Sequence, residues 1–228
     1  MSPLTSILQV LLPTTCACCG EVLVAGERQI CLRCLSALDK TRFDSQTDNP
    51  AEQRMAGVAQ LVAATSVYRF RHEGTVRAAV HAMKFHSCTD LCLMMGRQMG
   101  LALLQSGRFD SVDLLVPVPL HWLRRLQRGY NQSELLCRGI ADVMPRAIDC
   151  RSLVRHRYTR QQSLQQGSRR AENVDGAFRV RHPEALQGKH LLLVDDVLTT
   201  GATLAACCRA LAAVKDLRVS IATLGIAC

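Results

Sequence analysis

One stretch of the sequence, residues 191–204, limits the possible folds more than any other. It reads LLLVDDVLTTGATL, in which four apolar residues are followed by two acids, a Thr/Gly turn and the start of an Ala-rich segment. The short apolar run predicts a buried strand, and the Ala-rich segment over residues 201–214 predicts a helix. Strands that alternate with helices are typical of a mostly parallel α/β sheet, which binds ligands at the carboxyl ends of its strands. We therefore expect an α/β fold with a ligand site directly after residue 194.

The residues after this strand form two chemically different halves. Asp195 and Asp196 fall at the carboxyl end of the strand, where carboxylates bind a sugar diol or a metal ion. The turn that follows lies at a helix N-terminus, where N–H groups and the positive end of the helix dipole bind an anion. The predicted anion-binding residues are Thr199, Thr200, Gly201, Ala202 and Thr203. A phosphorylated ribose satisfies both halves, and an ordinary helix cap without a ligand is the alternative.

The composition is that of a folded, basic protein. The chain has 228 residues, of which 48% are apolar and 21% are charged, so it can bury a sizeable core. Its formal net charge of +9 suits phosphate-bearing partners, with a solvated basic face as the alternative. No run of 18 apolar residues is present and the first basic residue is Arg28, which argues against a membrane span and a secretion signal. We therefore expect a cytoplasmic protein with reduced thiols.

Four of the twelve cysteines form two CxxC pairs near the N-terminus. Cys16 and Cys19 are separated by eleven residues from Cys31 and Cys34. Two such pairs supply four thiolates for tetrahedral zinc, and the full set leaves no position open for a substrate. The sequence therefore predicts a structural zinc ribbon. Cys18 is a competing ligand for Cys16, and buried or redox-active thiols are the alternative.

The chain divides into three parts. Residues 1–40 hold the cysteine pairs, residues 41–57 are polar and indicate a linker, and residues 58–228 form the larger α/β domain. The further elements predicted in that domain are helices near residues 76–83 and 91–104 and after Asn131, and strands over residues 112–118 and 217–226. Residues 155–175 are too polar to belong to a core.

Residues 191–203 resemble the phosphoribosyl pyrophosphate (PRPP) binding signature of type I phosphoribosyltransferases. The match includes the apolar strand, both acids and the sequence Thr-Thr-Gly-Ala-Thr. The resemblance implies that Asp195 and Asp196 hold the ribose hydroxyls and that the turn binds the 5′-phosphate. The same fold also serves in regulators that bind without catalysing, so the resemblance leaves turnover open.

The chain as a whole resembles the ComF family of bacterial competence-related proteins, including its gluconate-associated branch. The resemblance covers nearly the whole sequence and includes the cysteine pairs, residues 116–121 (VPVPLH) and residues 128–132 (RGYNQ). Other matching positions are Lys84, Phe85, Thr159, Gln162, Leu164, Arg170 and Asn173. Tyr130 stands where phenylalanine is common, and residues 85–87 read FHS where a small residue is frequent.

This resemblance also implies roles for the loops. Pro119 and His121 would lie in the loop near the pyrophosphate, Lys84 would bind substrate, and Arg128 would stabilise the departing charge. Residues 155–170 would form a mobile hood over the substrate, with a solvated basic loop as the alternative.

We therefore expect a type I phosphoribosyltransferase-like protein that binds PRPP, or another phosphorylated ribose, with Mg²⁺. As an enzyme it would transfer the pentosyl group while pyrophosphate leaves. The alternative is a non-catalytic competence protein that handles single-stranded DNA during DNA uptake. The charge of +9 favours this alternative, whereas the aromatic content of 4% argues against it because bases stack on aromatic side chains.

Overall fold

The computed structural model describes residues 14–85, 88–156 and 176–228. Its main sheet has five parallel strands in the order β1-β7-β6-β2-β3, and β4 and β5 form a separate antiparallel pair. The strands are β1 (Leu61–Phe70), β2 (Leu114–Pro117), β3 (Ala147–Ile148), β4 (Leu153–Arg155), β5 (Phe178–Val180), β6 (His190–Leu198) and β7 (Arg218–Ala227). The helices are α1 (Leu32–Ser36), α2 (Pro50–Arg54), α3 (Thr75–Phe85), α4 (Thr89–Ser106), α5 (Trp122–Arg128), α6 (Gln132–Ala141) and α7 (Ala202–Leu211).

Strand β6 lies in the middle of the sheet and is buried on both faces. Leu192 and Val194 belong to the core that includes α3, α4 and α6, whereas Leu191 and Leu193 belong to the core that includes α7. Successive side chains of a strand point to opposite faces, so a strand covered on both sides must be apolar throughout. The predicted α/β class and parallel sheet are confirmed.

The central strand is longer than the sequence predicts. The sequence predicts that the strand ends at Val194, but β6 continues to Leu198 because it remains paired with β7. On its other side β6 pairs with β2 only as far as Val194. That residue lies opposite Pro117, the last residue of β2. The two acids that follow therefore lie where the sheet opens between β6 and β2.

Residues 41–57, predicted as a linker, contain α2 and contact the main sheet. Asn49 caps α2 by accepting from the N–H groups of Ala51 and Glu52, and its side-chain amide donates to Ala64 O in β1 at 2.9 Å. Met55 is 2% exposed in the same core as α7. The division of the chain at residues 40 and 57 stays a prediction.

Within the described ranges, no helix is both long enough and apolar enough to cross a membrane.

Helices α4 and α6 pack with their backbones in contact, which gives a first testable prediction. A Cβ added at Gly139 would lie 2.8 Å from Gly96 Cα and 2.9 Å from Arg97 N, both backbone atoms that cannot rotate away. We expect Gly139→Ala to lower the free energy of unfolding by about 2 kcal/mol because the helices must separate. Gly57→Ala is the control, since a Cβ there meets nothing within 4 Å. Equal urea midpoints for the two variants would contradict this prediction.

Candidate functional site

Asp195 is a half-buried acid that accepts two hydrogen bonds. Its Oδ1 accepts from Ser133 Oγ at 3.0 Å and from the backbone N–H of Asp196 at 2.9 Å. Burial, reinforced by the negative charge of Asp196, raises the pKa of Asp195 to about 7. The parallel topology explains the contact with Ser133, because α6 follows β2 and α5 along the chain and packs against β6. The acid is therefore ready to ionise when a cation or a hydrogen-bond donor approaches.

Asp196 pairs with the lysine that the family resemblance assigns to substrate binding. Lys84 Nζ lies 2.8 Å from Asp196 Oδ2, and the two side chains are 24% and 14% exposed. Lys84 belongs to the last turn of α3, and the Tyr130 hydroxyl holds that turn by donating to Met83 O at 2.7 Å. A phenylalanine cannot make this bond, so the departure from the family pattern at Tyr130 has a structural use.

Arg128 joins the same group of charges. Burial lowers the pKa of Arg128, and the negative charge of Asp196 opposes that effect. Its guanidinium lies over the Phe85 ring at 5.5 Å and donates to Gln132 Oε1 at 3.1 Å. The structure therefore brings together the two acids and two of the cations that were predicted from the sequence. Two carboxylates are also the oxygen ligands that Mg²⁺ takes in proteins.

The turn after β6 provides the helix N-terminus that the sequence predicts. Gly201 is the N-cap of α7 with φ +81°, a conformation that side-chain-bearing residues rarely adopt. Thr199 and Thr200 are exposed, and Thr200 Oγ1 accepts from Ala202 N at 3.4 Å. A Cβ at Gly201 would lie 3.0 Å from Met55 Sδ and 3.4 Å from Arg54 O. Glycine is therefore required both by the backbone conformation and by close packing against residues 54–55.

His121, which is predicted to bind substrate, also caps a helix. It is 4% exposed and serves as the N-cap of α5, where its Nδ1 accepts from Leu123 N at 3.3 Å. Burial and the positive charges of Arg155 and Arg124 lower the pKa of His121. One nitrogen of the ring is therefore used to hold the start of α5.

Pro119 lines a cavity of about 460 Å³ next to that loop. The residues around this cavity include Pro117, Trp122, Glu134, Arg155 and Arg181. Its walls come from the end of β2, from α5, from the start of α6, from β4 and from the residue after β5. The cavity therefore combines basic side chains with the loop that the resemblance assigns to pyrophosphate.

The predicted hood over residues 155–170 begins inside a packed strand. Arg155 ends β4, and its guanidinium lies 5.3 Å from the centre of the Phe178 ring in β5. Burial lowers the pKa of Arg155. The first residue of this segment therefore packs against an aromatic ring, although it is not one of the buried core residues. Residues 157–175, which include Thr159, Gln162, Leu164, Arg170 and Asn173, lie outside the described residues.

The four predicted zinc ligands form one cluster. The Sγ atoms of Cys16, Cys19, Cys31 and Cys34 all lie within 4.8 Å of one another, and those of Cys19 and Cys31 are 3.7 Å apart. Tetrahedral zinc with bonds of about 2.3 Å places its sulfur ligands about 3.8 Å apart. The donor set and its spacing therefore fit a tetrahedral metal ion, and the cluster can hold a metal such as zinc.

Backbone donors favour the thiolate form at one position of this cluster. Burial alone would raise the pKa of Cys16, but N–H groups of Cys31, Cys19 and Cys18 lower that pKa to about 6. The N–H groups of Cys31 and Cys18 lie 3.3 and 3.4 Å from Cys16 Sγ. By contrast, burial raises the pKa of Cys18 to about 12, and its side chain packs against the cores on either side. Cys18 is therefore not placed as a competing ligand.

Two contacts in the site were missed at the sequence level. Ser133 holds Asp195, and Arg54 contacts the backbone of the turn after β6. Ser133 lies two residues after the N-cap asparagine of a predicted helix, so its position in the first turn of that helix was a usable signal. Arg54 had none, because it lies in a polar segment without apolar periodicity.

Comparison with known proteins gives matches to one domain family and to two groups of named relatives. Residues 136–225 match the family model described as phosphoribosyl transferase domain. The DNA utilization protein YhgH of Escherichia coli K12 is 34% identical over 129 residues, which cover 55% of this chain and 56% of that protein. Competence protein F of Haemophilus influenzae is 31% identical over 131 residues, with the same coverage of 55% and 56%. The chain spans about half the length of the curated relatives it matches.

Among solved structures, the glutamine PRPP amidotransferase from Bacillus subtilis, complexed with ADP and GMP, is 18% identical. The match covers 57% of this chain and 25% of that chain, with a TM-score of 0.37. The expected resemblance to competence-related proteins is confirmed by the sequence relatives. Residues 136–225 of this chain are therefore similar to a phosphoribosyl transferase domain, and about half of the chain is similar in sequence to proteins named for DNA utilization and competence.

Proposed function

We propose that this chain binds PRPP together with Mg²⁺ and transfers or recognises the 5-phosphoribosyl group. The observation that carries this proposal is the position of two unlike sites at the same end of β6. Asp195 and Asp196 lie where β2 leaves the sheet, and the Gly201-capped N-terminus of α7 begins only three residues beyond the strand. An anionic group and a diol on one small molecule match these two sites.

Each part of the ligand has a group to receive it. The turn at residues 199–203 would bind the 5′-phosphate, while Asp195 and Asp196 would accept hydrogen bonds from the ribose hydroxyls. Lys84 and Arg128, both beside Asp196, would balance the charge of the pyrophosphate. The cavity lined by Pro119 lies on the side of the β2 loop and would take the leaving group. Mg²⁺, when bound, supplies further charge neutralisation for the departing pyrophosphate.

A titration with partial ligands tests this assignment of roles. Ribose 5-phosphate and pyrophosphate each present one part of PRPP. We expect calorimetry to detect weak binding of each and much tighter, Mg²⁺-dependent binding of PRPP, since one molecule then contacts both sites. A screen for pyrophosphate release with candidate acceptors then distinguishes transfer from recognition. PRPP that binds no more tightly than ribose 5-phosphate would contradict the proposed use of the cationic side chains.

The raised pKa of Asp195 gives a prediction with a defined sign. In the fold this pKa is about 7, against an ordinary value of 3.8, so the folded protein keeps a proton that the unfolded chain releases. The stability contribution of this carboxyl is therefore fully present below about pH 4 and is lost as the pH rises through about 7. Asp195→Asn removes this loss and should gain about 2 kcal/mol over the wild type at pH 8.

Urea unfolding at pH 4.5 and pH 8 in the absence of ligand measures this effect. Asparagine at position 195 should add little at pH 4.5, and the same variant should bind PRPP with Mg²⁺ much more weakly. Ser133→Ala is the control, because it removes a hydrogen bond to Asp195 without removing the ionisable group. A stability difference that does not change with pH would show that the ionisation of Asp195 is not its cause.

We also propose that the four-cysteine cluster holds one structural zinc ion. The proposal is supported by the fit of the sulfur spacing and by the backbone N–H groups directed at Cys16 Sγ and Cys31 Sγ. Four ligands complete a tetrahedral shell, so the site would serve folding rather than catalysis. Cysteines that bind zinc rather than form disulfides suit the reducing environment of the cytoplasm, where we expect this protein.

Single-stranded DNA is a second candidate ligand, and the surface of α5 favours it. Trp122 and Leu126 are 64% and 76% exposed on this helix, which also carries Arg124, Arg125 and Arg128. An exposed aromatic ring beside arginines is suited to stack on a base while the guanidinium groups contact phosphates. The relatives named for DNA utilization and competence are consistent with such a partner.

A further inference from the structure

We infer that Arg54 is a positioning residue that orients the turn after β6 for phosphate binding. This inference rests on the proposed function of that turn. Arg54 Nη1 donates to three backbone carbonyl oxygens, namely Leu198 O at 3.3 Å, Thr199 O at 2.8 Å and Ala227 O at 2.9 Å. One guanidinium nitrogen thus holds the ends of β6 and β7 and the first residue of the turn together.

The direction of these carbonyls determines the direction of the neighbouring N–H groups. All described peptide bonds are trans, and in a trans peptide the C=O of one residue and the N–H of the next point in opposite directions. Since Leu198 O and Thr199 O point towards Arg54, the N–H groups of Thr199 and Thr200 point away from it. Arg54 therefore selects the peptide orientation in which these donors face the side opposite to α2.

The arginine is itself held by a well-anchored helix. Its neighbour Glu52 forms an ion pair with Arg108 at 2.6 Å, in which the side chains are 16% and 19% exposed. Glu52 Oε1 also accepts from Ala64 N in β1 at 3.2 Å. Together with the Asn49 cap, these contacts fix α2 to β1 and to the end of α4. Arg54 is therefore held in place, and its loss should affect the turn more than the sheet.

The packing of the turn supports the same conclusion. Met55 and the backbone of Arg54 occupy the space on the Cβ side of Gly201. The turn is thus in contact with α2 through carbonyl hydrogen bonds at Leu198 and Thr199 and through packing at Gly201. Residues 54–55 therefore pack against the turn after β6, which we propose binds phosphate.

Three variants test the role of Arg54. Arg54→Met keeps most of the side-chain volume but removes every donor, whereas Arg54→Lys keeps a cation with three donors on a shorter side chain. Arg97→Met is the matched control, because Arg97 is half-exposed on α4 and pairs with Asp142 outside the site. The measurements are calorimetric titrations with PRPP plus Mg²⁺ and with inorganic phosphate, and hydrogen exchange of the amides at residues 199–202 without ligand.

We expect Arg54→Met to weaken PRPP and phosphate binding by about tenfold, which corresponds to the loss of one charge-assisted hydrogen bond in net terms. Lysine should restore part of the affinity, and the Arg97→Met variant should bind like the wild type. The amides at residues 199–202 should exchange faster in Arg54→Met, while those in the middle of β6 should not change. Partial rescue by lysine is the readout that a purely packing role would not produce.

The outcomes separate this inference from the proposed function. If the wild type binds PRPP and Arg54→Met binds it equally well, the inference is wrong and the proposed function stands. If the wild type does not bind PRPP, the proposed function fails, and unchanged exchange at residues 199–202 in Arg54→Met overturns the inference as well. Faster exchange throughout β6 and β7 would assign Arg54 a general structural role and would also overturn it.

Discussion

Cys31→Ser should reduce the zinc content from one ion per chain to almost none and unfold the residues around the cysteine cluster. Cys31 is 6% exposed, its Sγ lies 3.7 Å from that of Cys19, and it caps α1 by accepting from Cys34 N. Zinc binding in such sites contributes about 10–16 kcal/mol to folding, so losing one of four ligands removes most of the stability of a small ribbon. The sheet has its own core and should remain folded.

Elemental analysis and hydrogen exchange of residues 14–40 measure these two effects. Cys18→Ser is the matched control, because Cys18 is adjacent in sequence to the ligand Cys19 but lies outside the four-sulfur cluster. It should keep its zinc. Wild-type protein without zinc would contradict the proposed site, and zinc retained in Cys31→Ser but lost in Cys18→Ser would reassign the ligands.

Asp196→Asn and Gly201→Val should each weaken Mg²⁺-dependent PRPP binding by about a hundredfold or more, which is the effect of losing two charge-assisted hydrogen bonds. Asparagine at position 196 removes the charge that pairs with Lys84 and would face the ribose hydroxyls and Mg²⁺. Valine at position 201 is strained at φ +81°, and its Cβ would press on Met55 Sδ at 3.0 Å. The turn must therefore shift, and its N–H groups with it.

Gly188→Val is the control for backbone strain. Gly188 has φ +69°, close to that of Gly201, but a Cβ there meets nothing within 4 Å and the residue precedes the opposite end of β6. It should lower stability without lowering PRPP affinity at a temperature where the protein is folded. Equal affinities for Gly188→Val and Gly201→Val would show that the turn after β6 does not bind the phosphate.

The parts of the fold that could be predicted from the sequence are those with local signals. The apolar run before Asp195, the Asn131 cap and the spacing of Cys16, Cys19, Cys31 and Cys34 each depend on residues that are close in sequence, and all appear in the structure. The parallel topology then places the end of β6 beside the loop after β2. Ligand sites of α/β sheets form at this edge.

The parts that could not be predicted depend on contacts between distant residues. Arg54 and Leu198 are 144 residues apart, and a polar helix that bonds to backbone carbonyls has no apolar periodicity. The N-cap contact of His121 is local, with Leu123 two residues away, but it was not predicted because histidine is not a usual N-cap residue. Within residues 41–57, which are predicted to be a linker, Asn49 and Arg54 form such bonds to backbone carbonyl groups, and the division of the chain there stays a prediction.

The most direct test of the central claim is a pair of calorimetric titrations on the wild-type protein. One uses PRPP with and without Mg²⁺, and the other uses a short single-stranded oligonucleotide at two salt concentrations. We predict Mg²⁺-dependent PRPP binding that Asp196→Asn weakens by about a hundredfold or more and that a triple Arg-to-Ala variant at positions 124, 125 and 128 weakens only in part. No PRPP binding at millimolar ligand, with oligonucleotide binding that falls steeply with salt and is lost in the triple variant, would contradict it.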